Sequence, residues 1–165
     1  DCGRKFIPMS YLNDLVKVAE EENVILLLGT VMGMDSPCNA STPIVLTVDE
    51  VAEIIEQIGS SYLAAYADTQ VLSIRGESLT DWFDRLGEKV RLVRFTDGNY
   101  NGYRIWGKGV LPAEKLAEEI YRTGFNGLIS FQIPGERYCE NPKDAQKQNH
   151  FRALSAWREV MDCQR

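Results

Sequence analysis

Asp68, Asp97, Arg94 and Gln132 are the residues of this chain whose types and positions suggest shared chemistry. Each lies at or just past the end of a short apolar run: Leu63 to Ala67 before Asp68, Val90 to Phe95 around Arg94, and Leu128 to Ile133 around Gln132. Gly29 holds the same place after Val24 to Leu28, and it offers no side chain. A carboxylate at such a place can move a proton or ligate a cation. A guanidinium stays protonated and can do neither, although its planar fork suits a carboxylate or phosphate. Gln132 can hydrogen-bond a hydroxyl but cannot act as a base. Asp68 and Arg94 thus admit two readings: an ion pair, or an arginine that recognises an anionic ligand. Asp97 either caps the loop that follows it or serves as a lone carboxylate base.

Further ligand candidates follow the third run. The stretch Asn99-Tyr100-Asn101-Gly102-Tyr103-Arg104-Ile105-Trp106 concentrates aromatic rings and amides, with Tyr103 and Trp106 as candidate contacts. Such faces suit sugar rings, and the same composition suits a protein interface. Glu136-Arg137-Tyr138 follows the last run and could reach the same end, which makes Arg137 another candidate. Gly98, Gly102, Gly107 and Gly109 do not have the spacing of a phosphate-binding loop. His150, the only histidine, falls inside a helical pattern and is a poor catalyst.

These residues need parallel strands to bring them together. Ser10 caps a helical stretch to about Glu22, with Leu12, Leu15, Val16 and Ala19 on one face. Val24 to Leu28 reads as a parallel strand buried on both faces. A long loop spans Thr30 to Leu46, and loops of that length are usually functional. Thr47-Val48-Asp49-Glu50 is a capping box for a helix to Gln57 that stops at Gly59. Ser78 opens a helix with Leu79, Trp82, Phe83 and Leu86 inside, and Asp97 to Gly109 is a second long loop. Pro112 suits the first turn of a helix ending near Gly124. Asn141-Pro142 starts a last helix carrying Phe151, Leu154, Trp157 and Val160. Strict alternation predicts an α/β fold of parallel strands with helices outside them. It can be an open doubly wound sheet or half of a (β/α)8 barrel, since 165 residues cannot supply the roughly 250 of a whole one.

Composition narrows the partners. With 44% hydrophobic and 25% charged residues the chain is globular. A net charge of −6 with scattered basic residues disfavours nucleic acid. The run Val24 to Leu28 is too short to span a bilayer, so no membrane partner is expected. No secretory leader is visible in Asp1-Cys2-Gly3-Arg4-Lys5. Cys2, Cys38, Cys139 and Cys163 lack zinc-site spacing and read as reduced thiols of a cytoplasmic protein. A start at Asp1 reads as a piece of something longer or a processed product.

Several motifs in order then carry a resemblance. They are Trp82-Phe83-Asp84-Arg85-Leu86-Gly87-Glu88-Lys89-Val90-Arg91, Val93-Arg94-Phe95-Thr96-Asp97, Trp106-Gly107-Lys108-Gly109, Gly124-Phe125-Asn126-Gly127 and Ser130-Phe131-Gln132. From Leu12 to Met161 the chain resembles the carboxy-terminal half of the sugar isomerase/epimerase family, the xylose isomerase-like TIM barrels. The branch acting on fructosamines such as fructoselysine is nearest in pattern. The resemblance implies one half-barrel domain over residues 1–165, corresponding to β/α units five to eight. It also implies a manganese or magnesium ion held by Glu, Asp, His and Glu at consecutive strand ends, with the glutamates moving the proton. Carried over to this chain, those places hold Gly29, Asp68, Arg94 and Gln132. Asp68 is the only family ligand retained, so no metal cofactor is expected. The first expectation is therefore an epimerase-like half barrel that binds a sugar or sugar-derived ligand without metal-assisted catalysis. The alternative is an isomerase, epimerase or lyase completed by another chain and working through Asp68, Arg94 and Asp97. Under either, the open strand edges predict a homo-oligomer or a complementary half-barrel partner.

Overall fold

The computed structural model describes residues 9–30 and 47–163; the amino-terminal segment with Cys2, and the expected loop after Thr30 with Cys38, lie outside the described residues. Four strands form one parallel sheet in the order β1 (Leu26–Leu28), β2 (Leu63–Asp68), β3 (Val90–Arg94) and β6 (Leu128–Ser130). The order follows the chain with no reversal. A doubly wound sheet reverses its order at a switch point, so this is the strand order of a partial (β/α) barrel.

Side-chain alternation gives the sheet two unlike faces. Leu63, Ala65 and Ala67 of β2, Val93 of β3 and the following Phe95 are all buried at 0% exposure. They join one core with Leu12 and Val16, Val51 and Ile55, Leu79 and Trp82, Ala117 and Ile120, and Ala153 and Ala156. These pairs come from α1 (Met9–Glu21), α2 (Val48–Ile58), α4 (Leu79–Leu86), α5 (Ala113–Arg122) and α6 (Pro142–Asp162). Burying each large apolar side chain contributes roughly 1.5–3 kcal/mol. On the other alternation, Leu27 and Leu128 are 36% and 70% exposed, and Tyr66, Leu92 and Arg94 between them are half-buried.

Local signals explain most boundaries. Thr47 Oγ1 accepts from the Glu50 amide while Glu50 Oε2 accepts from the Thr47 amide, and Gly59 closes α2 at φ 68°. Ser78 and Asp81 form the same box ahead of α4. Asn141 caps α6 through the Asp144 amide, with Pro142 in the first turn. Pro112 sits one residue before α5, as its N-cap.

Several expectations need correcting. α1 begins at Met9, so Ser10 lies inside it, and Leu15 is 40% exposed. β1 is not buried on both faces: among the described residues it is an edge strand, flanked only by β2 and covered by helices on one side. Phe151 of α6 is 71% exposed, because Ala153, Ala156 and Val160 make the helix's contact with the core. Two elements were not anticipated. A helix α3 (Thr69–Arg75) follows β2 without a loop, because Asp68 caps it directly. The expected loop after β3 contains a hairpin, β4 (Asp97–Asn99) and β5 (Gly102–Arg104). Its turn is built by Asn99 Oδ1, which accepts from the Asn101 amide at 2.9 Å, and by Gly102 at φ 103°.

Candidate functional site

Asp68 ends β2 with its side chain at 0% exposure, and both oxygens of its carboxylate are hydrogen-bonded. Oδ1 accepts from the Gln70 and Val71 amides at 3.0 and 3.2 Å and from Thr96 Oγ1 at 3.0 Å. Oδ2 accepts from the Tyr103 hydroxyl at 2.9 Å. Asp68 is therefore both the cap of α3 and the anchor of the β4–β5 hairpin. Burial pushes its carboxyl above the usual carboxylate range; the hydrogen bonds from Tyr103, Val71 and Thr96, and then the charge of Arg94, pull the other way. Burial and the neighbouring Asp68 charge push the Tyr103 phenol far above its ordinary value, so it stays a donor.

Arg94 pairs with Ser130 and Asp68 in register on the two flanking strands. The expected ion pair is present but long, with Nη1 3.6 Å from Asp68 Oδ2 and the arginine side chain 32% exposed. At that exposure and length it contributes about 1 kcal/mol or less. The guanidinium lies over the Tyr66 ring, 4.9 Å from its centroid. The Tyr66 hydroxyl donates to the Thr30 carbonyl at 3.3 Å. A Cβ at Gly29 would lie 2.5 Å from the Tyr66 ring. Gly29, Tyr66 and Arg94 are thus stacked across β1, β2 and β3, and Gly29 is required because the ring fills its side-chain space. Tyr66 was missed from sequence, and the pairing of a glycine on one strand with an aromatic on the next was its only signal.

Asp97 is 1% exposed and each of its oxygens accepts two hydrogen bonds. Oδ1 accepts from the Gly98 and Leu111 amides at 2.7 and 3.1 Å, and Oδ2 from Gly107 and Gly109 at 3.0 and 2.9 Å. A Cβ on Gly109 would run into this carboxylate, which accounts for the glycine. Of the two sequence readings for Asp97, the loop-organising one matches this geometry. No lone pair is left to take a substrate proton.

Trp106 has moved from ligand candidate to core. It is 3% exposed, its ring lies 4.4 Å from that of Phe95, and its Nε1 donates to the Phe95 carbonyl at 3.2 Å. The cause is Asn149, whose Oδ1 takes the Trp106 amide at 2.7 Å and draws this segment against α6. Arg137 is exposed and donates to the Asn101 carbonyl at the hairpin turn. Gln132 is half-buried beyond β6, and no hydrogen bond among the described residues links it to Asp68 or Arg94. His150 packs edge-on against Phe131 at 5.8 Å, away from this cluster. Among the described residues no three His, Cys, Asp or Glu side chains come together as a metal-holding group, and none of the helices is long and apolar enough to cross a membrane.

With the geometry in view, comparison with known proteins fixes the class. The sequence profile of the family described as "Xylose isomerase-like TIM barrel" matches residues 7–157, and the chain belongs to that family. Fructoselysine 3-epimerase of Escherichia coli O157:H7 is 26% identical over 131 residues, covering 74% of this chain and 47% of that protein. The Shigella flexneri fructoselysine 3-epimerase matches to the same extent. The chain spans about half the length of the curated relatives it matches. Among solved structures, a D-tagatose 3-epimerase-like protein superposes with a TM-score of 0.71 at 18% identity, covering 95% of this chain and 55% of that one. The IolI protein with a bound zinc atom gives 0.72 at 16% identity, covering 92% and 55%. D-psicose 3-epimerase with D-tagatose, from Clostridium cellulolyticum H10, gives 0.61 at 17% identity, covering 93% and 54%. These likenesses establish the fold.

Proposed function

We propose that residues 1–165 form one half-barrel domain, β/α units five to eight of a sugar epimerase-like barrel, which binds a sugar or sugar-derived ligand at its strand ends without a divalent cation. The observation that carries this reading is the state of Asp68. Its oxygens are taken by four donors of the chain itself, and a guanidinium stands 3.6 Å away where the family pattern puts a histidine. As ligands for manganese or magnesium, the corresponding residues do not fit. The Tyr66 ring fills the space at Gly29, Gln132 is neutral, and Arg94 would repel a cation. No reaction step is therefore drawn through a metal. An active isomerase or lyase working through Asp68, Arg94 and Asp97 has less support, because each oxygen of Asp97 accepts two hydrogen bonds and Asp68 is wholly buried with both oxygens hydrogen-bonded.

Closure of the barrel belongs to the same proposal. The open face with Leu27, Leu92 and Leu128 calls for further strands, from a second copy of this chain or from a complementary amino-terminal half. A cytoplasmic setting with reduced thiols accompanies it, in keeping with the exposed free Cys139 and Cys163.

Calorimetric titration tests the proposal. Millimolar D-fructose should give saturable heat and manganese none. A folded variant combining Tyr66→Ala, Gly29→Glu, Arg94→His and Gln132→Glu should gain manganese binding. Manganese binding by the unaltered chain, with an affinity that Asp68→Asn abolishes, would overturn it.

A further inference from the structure

Three guanidinium groups lie on the β4–β5 hairpin or at the strand end beside it, and among the described residues none of them has a carboxylate within hydrogen-bonding distance. Arg94 has only the 3.6 Å approach to Asp68, an oxygen that Tyr103 already holds at 2.9 Å. Arg104 is half-buried and donates to the Tyr103 carbonyl at 3.0 Å. Arg137 is exposed and donates to the Asn101 carbonyl. Four other described arginines contrast with this: Arg85 reaches Glu56 at 2.6 Å and Asp49 at 3.2 Å, Arg122 reaches Glu118 at 2.6 Å, Arg75 reaches Glu77 at 3.4 Å, and Arg152 pairs with Glu114.

A chain of net charge −6 has ample carboxylates with which to pair its arginines. At the strand end beneath this hairpin the two buried carboxylates are committed to other donors. Asp68 accepts from the α3 amides, Thr96 and Tyr103, and Asp97 from four loop amides. A carbonyl satisfies one N–H of a guanidinium and leaves its charge uncompensated. The Tyr66 face beneath Arg94 fixes the plane of that group without consuming its donors. A flat, immobilised fork with open N–H groups suits the two oxygens of a carboxylate or phosphate. A neutral sugar hydroxyl would leave most of those donors and the charge unused.

We infer that the ligand of this site is an anionic sugar derivative, bearing a carboxylate or a phosphate, whose charged group is held by the exposed N–H groups of Arg94 on the Tyr66 face. The inference rests on the sugar-binding reading above and names its substrate class.

The test follows the arginine Nε–Hε resonances of the full chain by NMR during separate titrations with inorganic phosphate, citrate and neutral D-fructose. Phosphate or citrate should give a saturable shift of the Arg94 resonance and leave Arg85 unmoved. Arg94→Gln should weaken that anion's binding at least tenfold, and Arg94→Lys less so because it keeps the charge. Tyr66→Leu keeps Arg94 but removes the ring face that holds its guanidinium, and it should weaken binding severalfold even if Arg94→Gln fails to fold. Phosphate against citrate tells which anion is preferred. Fructose binding with no response to either anion overturns the inference and leaves the sugar reading standing. Anion binding without any fructose response supports the inference and removes the neutral-sugar form of that reading. No response to any probe overturns both.

Discussion

The two faces of the sheet are built from the same strands and could hardly differ more. On the helix-covered face Leu63, Val93 and Phe95 are entirely buried, whereas on the other Leu27 and Leu128 stand 36% and 70% exposed. The covered face is a finished core that holds the strands in register. The open face carries Tyr66, Arg94 and, at its end, Asp68, so the ligand candidates project from the side that lacks a second layer. The contrast separates two demands on one sequence: the helix-covered face carries the stability, and the open face carries the candidate site.

The sharpest way to break the contrast is to damage the covered face. Trp82→Ala removes a ring at 0% exposure whose Nε1 donates to Glu77 at 3.0 Å. It should cost roughly 3–5 kcal/mol in urea unfolding, and a loss under 1 kcal/mol would mean that this core is not the one described. Next in size is Asp97→Ala, which strands the amides of Gly98, Gly107, Gly109 and Leu111. About 3 kcal/mol should be lost, with faster hydrogen exchange at those four amides than elsewhere.

A smaller effect should appear in the pH dependence of stability. Burial holds Asp68 above its ordinary value of 3.8, so the folded chain binds this proton more tightly than the unfolded chain does. The charged form therefore carries a penalty above the folded pKa. Stability from this group should rise as pH falls through the folded pKa toward 3.8, and level off below it. Measured by melting temperature against Asp68→Asn, which does not titrate, the wild-type chain should gain relative ground on acidification. A relative loss would show that the hydrogen bonds to Asp68 outweigh its burial. The smallest change belongs to the open face. Leu128→Ser should alter unfolding of the chain by no more than about 0.5 kcal/mol, yet shift sedimentation toward the monomer. A large stability loss would place Leu128 in the core after all.

The alternation of apolar runs and helix signals was enough to read the parallel strands and the helices between them. The capping boxes at Thr47 and Ser78 and the glycine at Gly59 are short-range devices whose partners lie within a few residues. The ends of β2 and β3 were legible for the same reason, and so was the adjacency of Asp68 and Arg94. Helix α3 was hidden because its cap is also the last residue of a strand, so no loop announces it. The hairpin after β3 was hidden because its glycines and amides read equally well as a long loop.

By itself, then, the sequence determined the alternation of parallel strands with helices, the family they belong to, and which residue types stand at the strand ends. Periodicity, capping and motif order are properties of neighbouring residues, and they survive without a structure. Only the tertiary structure decided what those residues touch. Tyr66 in the space at Gly29, Tyr103 on Asp68 and the burial of Trp106 by Asn149 each join segments far apart in the chain. Such contacts are set by how strands twist and loops return over the sheet. No local spacing records them.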